Sequence, residues 1–182
     1  MIETEYDVIV AGYGPVGETC ANLLGYYGIK ALVLDKEKNA YPLPRAITWD
    51  AECQRAMSHC EFLSEVKTRK IRGVDNKDAN KKSIMKITME GFDTYNYQHR
   101  ILFIHQPQFD EAHRENAEKY STNTIKTGSE LLAVDEINGV INCTYKNIET
   151  NEQFKVTSKY LLACDGANST VRKPVSYTHL RA

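Results

Sequence analysis

Residues 8–36, VIVAGYGPVGETCANLLGYYGIKALVLDK, decide the fold of this chain. Residues 6–11 form a β-branched run that ends at a glycine, which is typical of a buried parallel strand. From Pro15 to about Gly28 the pattern becomes helical. One helix face then carries the apolar residues spaced by three and four positions, which are Val16, Cys20, Leu23, Leu24 and Tyr27. Residues 30–35 form a second apolar strand that ends in an acid, so the stretch predicts a βαβ unit.

The rest of the chain departs from regular alternation of strand and helix. The predicted elements are a proline-containing loop over 39–47, helices over 49–63 and 107–120, and strand pieces over 84–89 and 101–104. Residues 131–137 and 140–148 flank Asn138-Gly139, a strong hairpin signal. A return strand over 154–163 then ends at a second strand-to-glycine junction. The sequence therefore predicts an α/β fold with a β-meander rather than a plain doubly wound dehydrogenase.

The turn between the first strand and helix has the spacing of a dinucleotide-binding loop. Gly12 permits the sharp turn, Gly14 lets a diphosphate approach the backbone, and Gly17 allows close packing of helix on strand. Pro15 and Val16 open the helix, whose N-terminus attracts phosphate. Asp35 ends the second strand at a distance suited to ribose hydroxyls, and Lys36 follows it. FAD and NAD both remain possible ligands, as does a structural turn with no ligand; an acid at Asp35 disfavours a 2′-phosphorylated ribose.

Composition and charge exclude several classes of partner. The formal net charge of −1 gives no reason to expect nucleic acid or an anionic membrane as a partner. The basic residues within 67–82 alternate with Asp and Asn, which favours a solvated loop. No apolar stretch approaches the ~18 residues of a membrane span. The five cysteines are scattered without a CxxC, so a reducing cytoplasm fits best, and no histidine spacing argues for a metal.

Four stretches resemble a known family in its order and approximate spacing. They are VIVAGYGPVG (8–17), YPLPRAITWDAECQRAM (41–57), FIHQPQFDEAHR (103–114) and LLACDGANSTVR (161–172). The sequence resembles the N-terminal part of the FAD-dependent aromatic-ring monooxygenases, the group of para-hydroxybenzoate hydroxylase, and in particular the 3-(3-hydroxyphenyl)propionate hydroxylases. The resemblance implies a Rossmann-like FAD-binding domain over 1–174, with 68–104 contributing to an inserted substrate-domain sheet.

The resemblance also implies roles for single residues. Gly12, Gly14 and Gly17 would hold the FAD diphosphate, and Asp35, where the family usually has glutamate, would bind the adenosine ribose. The remaining candidates are Arg45 near the flavin, Gln106 at the ribityl-phosphate region, and Asp165 with Gly166 in a second fingerprint shared by FAD and the nicotinamide nucleotide. Simpler interpretations remain open: a surface loop arginine at 45, a helix cap at 106, and a turn pair at 165–166. The strands ending at Gly12 and Gly166 are expected to meet at one crevice.

The resemblance further implies the activity of a longer parent enzyme. Such an enzyme hydroxylates a small phenolic compound with NADH or NADPH and dioxygen. We expect the chain to be truncated relative to that enzyme, with a tail over 175–182 that is not native family sequence, and we assign no catalytic residue. Another flavoenzyme of the same fold (an epoxidase, halogenase or reductase) and a nonenzymatic nucleotide-binding module stay as alternatives.

Overall fold

The computed structural model describes residues 5–60, 66–89 and 101–172, and every structural statement below concerns these residues. In chain order the elements are β1 (Tyr6–Ala11), α1 (Pro15–Tyr26), β2 (Ala31–Asp35), β3 (Thr48–Asp50), α2 (Ala51–Met57), a 3-10 helix (Ser58–Cys60), β4 (Arg69–Lys70), β5 (Gly73–Lys77), β6 (Ser83–Thr88), β7 (Ile101–Phe103), α3 (Gln106–Glu118), β8 (Asn123–Thr127), β9 (Ser129–Ile137), β10 (Val140–Asn147) and β11 (Gln153–Ala163). The chain divides into a first unit, Met1–Pro42 with Asp110–Ala182, and a second unit, Leu43–Phe109.

The first unit is built on a six-stranded sheet of order β8-β2-β1-β11-β10-β9. β8, β2, β1 and β11 run parallel, whereas β10 and β9 are antiparallel. β1 lies between β2 and β11, and its residues Val8–Ala11 are buried, as a continuous apolar run in a parallel sheet requires. The four parallel strands therefore end at one edge of the sheet, which is where ligands of such sheets bind.

Two apolar clusters fill the two faces of this sheet. On one face Val10 and Val33 pack with Ala21 of α1 and Ala117 of α3. On the other face Ile9 packs with residues of the meander and return strand, which include Leu131, Cys143, Tyr145 and Val156. The alternation of side chains along β1 supplies both clusters, so this strand is the centre of the core.

The predicted βαβ unit and hairpin are confirmed. β1, α1 and β2 lie within two residues of the predicted bounds, and Gly28 follows α1 with a φ of 70°, a left-handed conformation that ends a helix. Asn138 and Gly139 both have positive φ, 53° and 77°, as a two-residue hairpin turn requires. The helix predicted over 49–63 is shorter, α2 followed by a 3-10 turn, and its last three positions lie outside the described residues.

The apolar face predicted for α1 is only partly the face that is buried. Cys20 and Leu24 are partly buried against the core, but Val16 is 64% exposed and Tyr27 is 63% exposed. The buried positions are instead small or polar, and they are Gly17, Glu18, Ala21, Asn22 and Gly25. Small residues let α1 approach its neighbours closely: a Cβ added at Gly25 would lie 2.5 Å from the ring of Tyr120. Close backbone packing, rather than an apolar stripe, decides which face is buried here.

The second unit contains a three-stranded antiparallel sheet of order β3-β7-β4 and a hairpin of β5 with β6. Trp49 of β3 packs edge-on against Phe109, with ring centroids 4.9 Å apart. β4 to β7 fall within the predicted insertion 68–104, of which residues 90–100 lie outside the described part. The domain bounds 1–174 and the tail 175–182 stay predictions, since residues 173–182 are also outside it. Among the described residues, no helix has the length and apolarity that crossing a membrane requires.

Candidate functional site

The loop after β1 is shaped by a glycine that no other residue could replace. Gly12 has a φ of 98°, and a Cβ added there would lie 2.4 Å from the carbonyl oxygen of Cys164. Cys164 follows β11, and its N–H donates to the carbonyl of Ala11 at 2.7 Å. The ends of β1 and β11 are therefore packed backbone against backbone, with no room for a side chain.

Gly17 and Gly14 serve different purposes. A Cβ added at Gly17 would lie 2.0 Å from the carbonyl oxygen of Gly12, so this glycine allows α1 to cross the loop. A Cβ at Gly14 would meet nothing within 4 Å. Gly14 also has an extended backbone, φ −87° and ψ −172°, that any L-residue adopts. Neither strain nor packing thus requires glycine at position 14, and the open space in front of it is available to a ligand.

Gly14 is the N-cap of α1, and this end of the helix has the properties of an anion site. No side chain caps the helix, and Pro15 takes the first helical position, where it has no N–H to lose. The first intrahelical bond is donated by the N–H of Glu18 to Gly14. The N–H groups before it point out of the helix end and, with the helix dipole, favour negative charge.

Asp35 at the end of β2 is tied to the same loop. Its Oδ2 accepts a hydrogen bond from the N–H of Tyr13 at 2.6 Å, and its Oδ1 accepts one from the N–H of Glu37 at 2.7 Å. Each carboxylate oxygen can accept a further bond, so the group is oriented and still able to bind hydroxyls. The glycine loop and the acid predicted for ribose are thereby one connected structure.

Asp165, just after β11, organises the second strand-to-glycine junction. Its Oδ2 accepts hydrogen bonds from the N–H groups of Thr170 at 2.7 Å and Val171 at 3.3 Å. Its Oδ1 is buried and has no hydrogen-bond partner within residues 5–60, 66–89 and 101–172. Gly166 follows with a φ of 76°. The backbone at Gly166 thus has the left-handed conformation found in turns, and the unpaired Oδ1 of Asp165 is an additional feature that a turn does not need.

The two junctions meet in one cavity of about 530 Å³ in the first unit. Its lining includes eight of the predicted site residues: Gly12, Gly14, Pro15, Val16, Asp35, Lys36, Asp165 and Gly166. Gly17 stands directly behind Gly12. Several further lining residues were not predicted from the sequence, and they are Glu37, Ser129, Glu130, Asn168 and Thr170. Asn168 and Thr170 lie inside the stretch 161–172 that carries the family resemblance. No local sequence pattern indicated that Ser129 and Glu130, at the start of β9, would line the cavity.

A second, larger concavity of about 790 Å³ shares Asp165 and Gly166 with the first. Residues of β9, β10 and β11, with Arg172, form the rest of its wall. It contains no helix N-terminus among its described lining residues. The smaller cavity is therefore the better candidate for a phosphate-bearing ligand.

Arg45 and Gln106 lie in the second unit and contact each other. The Oε1 of Gln106 accepts hydrogen bonds from the N–H groups of Arg45 and Ala46, both at 2.7 Å. Gln106 is buried, whereas the side chain of Arg45 is exposed. Gln106 thus holds the loop that presents Arg45, which is more than the helix cap considered from the sequence.

A buried polar cluster between α1 and α3 was not anticipated. Glu18 is fully buried, and its Oε1 accepts a hydrogen bond from the Nε of Arg114 at 2.8 Å. Burial raises the pKa of Glu18 to about 8, against the opposing effect of Arg114. Burial also lowers the pKa of His113 to about 4, so this imidazole is neutral at pH 7. The sequence signal was faint: Glu18 and Asn22 at positions i and i+4 of a helix with an apolar composition.

Within residues 5–60, 66–89 and 101–172 no group of three His, Cys, Asp or Glu side chains could hold a metal ion. All five cysteines are free thiols. The cavity therefore offers backbone donors, carboxylate acceptors and one lysine, a set suited to a nucleotide.

Solved structures share this fold. A crystal structure of p-nitrophenol 4-monooxygenase from Pseudomonas putida DLL-E4 superposes with a TM-score of 0.83 at 24% identity, over 96% of this chain and 44% of that one. The flavin-dependent monooxygenase PieE, in complex with FAD and substrate, superposes with a TM-score of 0.76 at 16% identity, over 94% of this chain and 32% of that one. Both likenesses concern the fold.

Relatives in sequence carry the name 3-(3-hydroxy-phenyl)propionate/3-hydroxycinnamic acid hydroxylase. The one from Comamonas testosteroni is 30% identical over 94% of this chain and 29% of its own length. The one from Escherichia coli K12 is 30% identical over 93% of this chain and 30% of its own length. The chain thus spans less than a third of these relatives. A family profile described as FAD binding domain matches residues 5–181. This chain is a member of the FAD binding domain family.

Proposed function

We propose that the first unit binds the adenosine diphosphate half of FAD in the cavity at the end of β1. We further propose that the chain acts as the N-terminal part of a monooxygenase that hydroxylates phenolic compounds with NADH or NADPH and dioxygen. The family match supports FAD as the ligand, and the relatives' names support the class of reaction. Because the chain spans 29% of the Comamonas testosteroni relative, we propose the hydroxylation activity only for a protein of that greater length.

The residues present fit such a ligand. Among the three glycines of the loop, Gly14 alone has open space where its Cβ would be, and that space lies beside the uncapped end of α1. A diphosphate placed there would receive backbone N–H donors and the favourable helix dipole. This open position at an uncapped helix end is the observation that carries the proposal.

Two of the four acids that line the cavity, Asp35 and Asp165, are suited to hydroxyl groups of the ligand. Asp35 would accept hydrogen bonds from the adenosine ribose, and its charge would disfavour a 2′-phosphate. The buried Oδ1 of Asp165 would accept one from a hydroxyl of the cofactor and so gain the partner it lacks among the described residues. Lys36 would balance part of the negative charge at the cavity.

The second unit would contribute the residues that the resemblance assigns to the flavin side. Gln106 fixes the backbone of residues 45–46, and through it the position of Arg45. We propose that Arg45 acts near the flavin and Gln106 at the ribityl-phosphate region. When bound, flavin would supply the redox chemistry between a nicotinamide nucleotide and dioxygen. The chain's own part is to bind and orient it.

We also propose a cytoplasmic location for the protein, with a small aromatic substrate as its partner. The five free cysteines suit a reducing compartment. The substrate proposal rests on the names of the relatives.

A titration tests the binding proposal directly. FAD, ADP and riboflavin are added separately to the purified 182-residue chain, with flavin fluorescence and calorimetry as readouts. We expect FAD and ADP to bind and riboflavin, which lacks the diphosphate and adenosine, to bind far more weakly. Equal affinity for FAD and riboflavin, or no binding of FAD, would refute the proposed site. Consumption of NADH or NADPH by the FAD-loaded chain would argue against a nonenzymatic module.

A further inference from the structure

Arg114 of α3 connects the buried cluster to the glycine loop. Its Nε donates to Glu18 at 2.8 Å, and its Nη2 donates to the carbonyl oxygen of Tyr13. Its guanidinium also lies over the ring of Tyr13, 4.6 Å from the centroid. One side chain therefore contacts both the first turn of α1 and the residue between the first two glycines of the loop.

Tyr13 is consequently held from two sides. Asp35 accepts its N–H at 2.6 Å, while Arg114 donates to its carbonyl oxygen. The Tyr13 ring is buried in the cluster that also contains Ala21 and Ala117. Since the peptide groups on both sides of Tyr13 are fixed, the backbone that leads into Gly14 is fixed before any ligand arrives, and preorganised donors bind anions best.

Charge gives Arg114 a second task at the same place. Glu18 lies in the first turn of α1, where a carboxylate stabilises the helix but opposes an anionic ligand. The groups that face Glu18 are Asp110, His113 and Arg114 from α3, Asp35 from β2, and Tyr13. His113 is neutral near pH 7, and Asp110 and Asp35 are acidic, so Arg114 is the cation that offsets Glu18 within the described residues.

We infer that Arg114 is a positioning residue for the diphosphate cradle: it fixes the Tyr13 peptide and offsets the charge of Glu18 whenever that carboxyl is ionised, so that the end of α1 accepts an anion. This inference rests on the proposed function. α3 would then influence ligand affinity at the glycine loop through the side chain of Arg114, although α3 is not part of that loop.

The test measures ADP affinity by calorimetry at pH 6 and pH 8.5 for the full chain and four variants. The variants are Arg114→Gln, Glu18→Gln, their combination, and Arg55→Gln as a control. Arg55 also pairs with a glutamate, Glu52, at 3.1 Å, but on the exposed surface of the second unit. Thermal unfolding of each ligand-free variant is recorded alongside, so that a loss of folding is seen separately.

Arg114→Gln should weaken ADP binding on the order of tenfold at pH 6, the effect of losing a charge-assisted hydrogen bond, and less at pH 8.5. The pH difference arises because Arg114 lowers the pKa of Glu18: without Arg114 this carboxyl takes up a proton at pH 8.5, which offsets part of the lost positive charge, whereas at pH 6 it is already protonated. Glu18→Gln should bind ADP as tightly as the unsubstituted chain at pH 6 and more tightly at pH 8.5, and in the Glu18→Gln background the loss caused by removing Arg114 should be the same at both pH values. Arg55→Gln should change nothing.

Unchanged ADP affinity in a folded Arg114→Gln variant would overturn the inference. So would an equal loss at both pH values in the Arg114→Gln variant, since that pattern belongs to a purely structural residue. If Arg114→Gln does not fold, Glu18→Gln decides: weaker ADP binding at pH 8.5 overturns the electrostatic role. Failure of the unsubstituted chain to bind ADP or FAD would instead refute the proposed function.

Discussion

The substitution Gly14→Ala separates ligand binding from folding. The added Cβ would meet no protein atom within 4 Å, and the backbone at φ −87° and ψ −172° is one that alanine adopts without strain. Alanine is a poorer N-cap than glycine by roughly 0.5–1 kcal/mol, and it reduces the conformational freedom of the unfolded chain, which stabilises the fold by about 0.4–1 kcal/mol. The two effects oppose each other, so the free energy of unfolding should stay within about 0.5 kcal/mol of its original value.

The same methyl group would lie in the space where we propose that the diphosphate approaches the backbone. Displacing one phosphate oxygen from its N–H donor costs about 1.5–3 kcal/mol, the value of a hydrogen bond to a charged group. At about 1.4 kcal/mol for each factor of ten, FAD affinity should fall roughly 10- to 150-fold. Gly14→Val fills more of the same space and should have at least this effect.

Flavin fluorescence titration gives the dissociation constant for FAD, and circular dichroism during heating gives the stability of the ligand-free chain. The expected pattern is a large loss of affinity at unchanged stability. The reasoning is refuted if Gly14→Val is folded and binds FAD within twofold of the unsubstituted chain. It is also refuted if Gly14→Ala loses stability and affinity together, because the position would then be structural.

Three further predictions concern neighbouring residues. Gly17→Ala places a Cβ 2.0 Å from the Gly12 carbonyl oxygen, so denaturant titration should show the free energy of unfolding reduced by roughly 1–3 kcal/mol or more; an unchanged midpoint would contradict the close crossing. Burial raises the pKa of Glu18 from 4.5 to about 8, so its contribution to the free energy of unfolding is fully present below pH 4.5 and is lost as the pH rises through 8. The melting temperature should therefore fall less steeply between pH 6.5 and 8.5 in Glu18→Gln than in the unsubstituted chain. An identical slope in both would argue against a buried carboxyl at position 18. Asp35→Ala removes the acceptor for both Tyr13 and the ribose, so calorimetry should show ADP binding weakened about tenfold with no change for riboflavin; equal losses for both ligands would point to general unfolding.

The sequence predicted what local chemistry controls. A buried parallel strand, a glycine turn and a proline at the first helical position lie within 12 residues of each other, and each restricts its own backbone. Asn138-Gly139 likewise specifies its turn through two positive φ angles. For the same reason the three glycines of the loop and Asp35 could be proposed as site residues without knowledge of the fold.

Local sequence patterns did not predict the interactions between segments that are distant in the chain. The bond from Arg114 to Glu18 joins residues 96 positions apart. It allows α1 to bury a carboxyl group on a side where an apolar residue is ordinarily expected. The short edge strand β8 contains three β-branched residues but no apolar alternation, and it pairs in parallel with β2, a partner that lies about 90 residues away in the chain. The pattern within α1 could not reveal that α3 would supply partners for a buried acid.

The charges at the cavity indicate how the chain would distinguish phosphates from hydroxyls. Its described lining includes one cation, Lys36, alongside four acids, which are Asp35, Glu37, Glu130 and Asp165. An anion held chiefly by side-chain cations would need more of them, so we expect the diphosphate to rely on N–H groups at the end of α1. The carboxylates would then serve hydroxyls of the ligand, and their charge would help reject a further phosphate. A site of this kind gains selectivity from the placement of backbone donors, and it depends on whatever keeps the Tyr13 peptide in position.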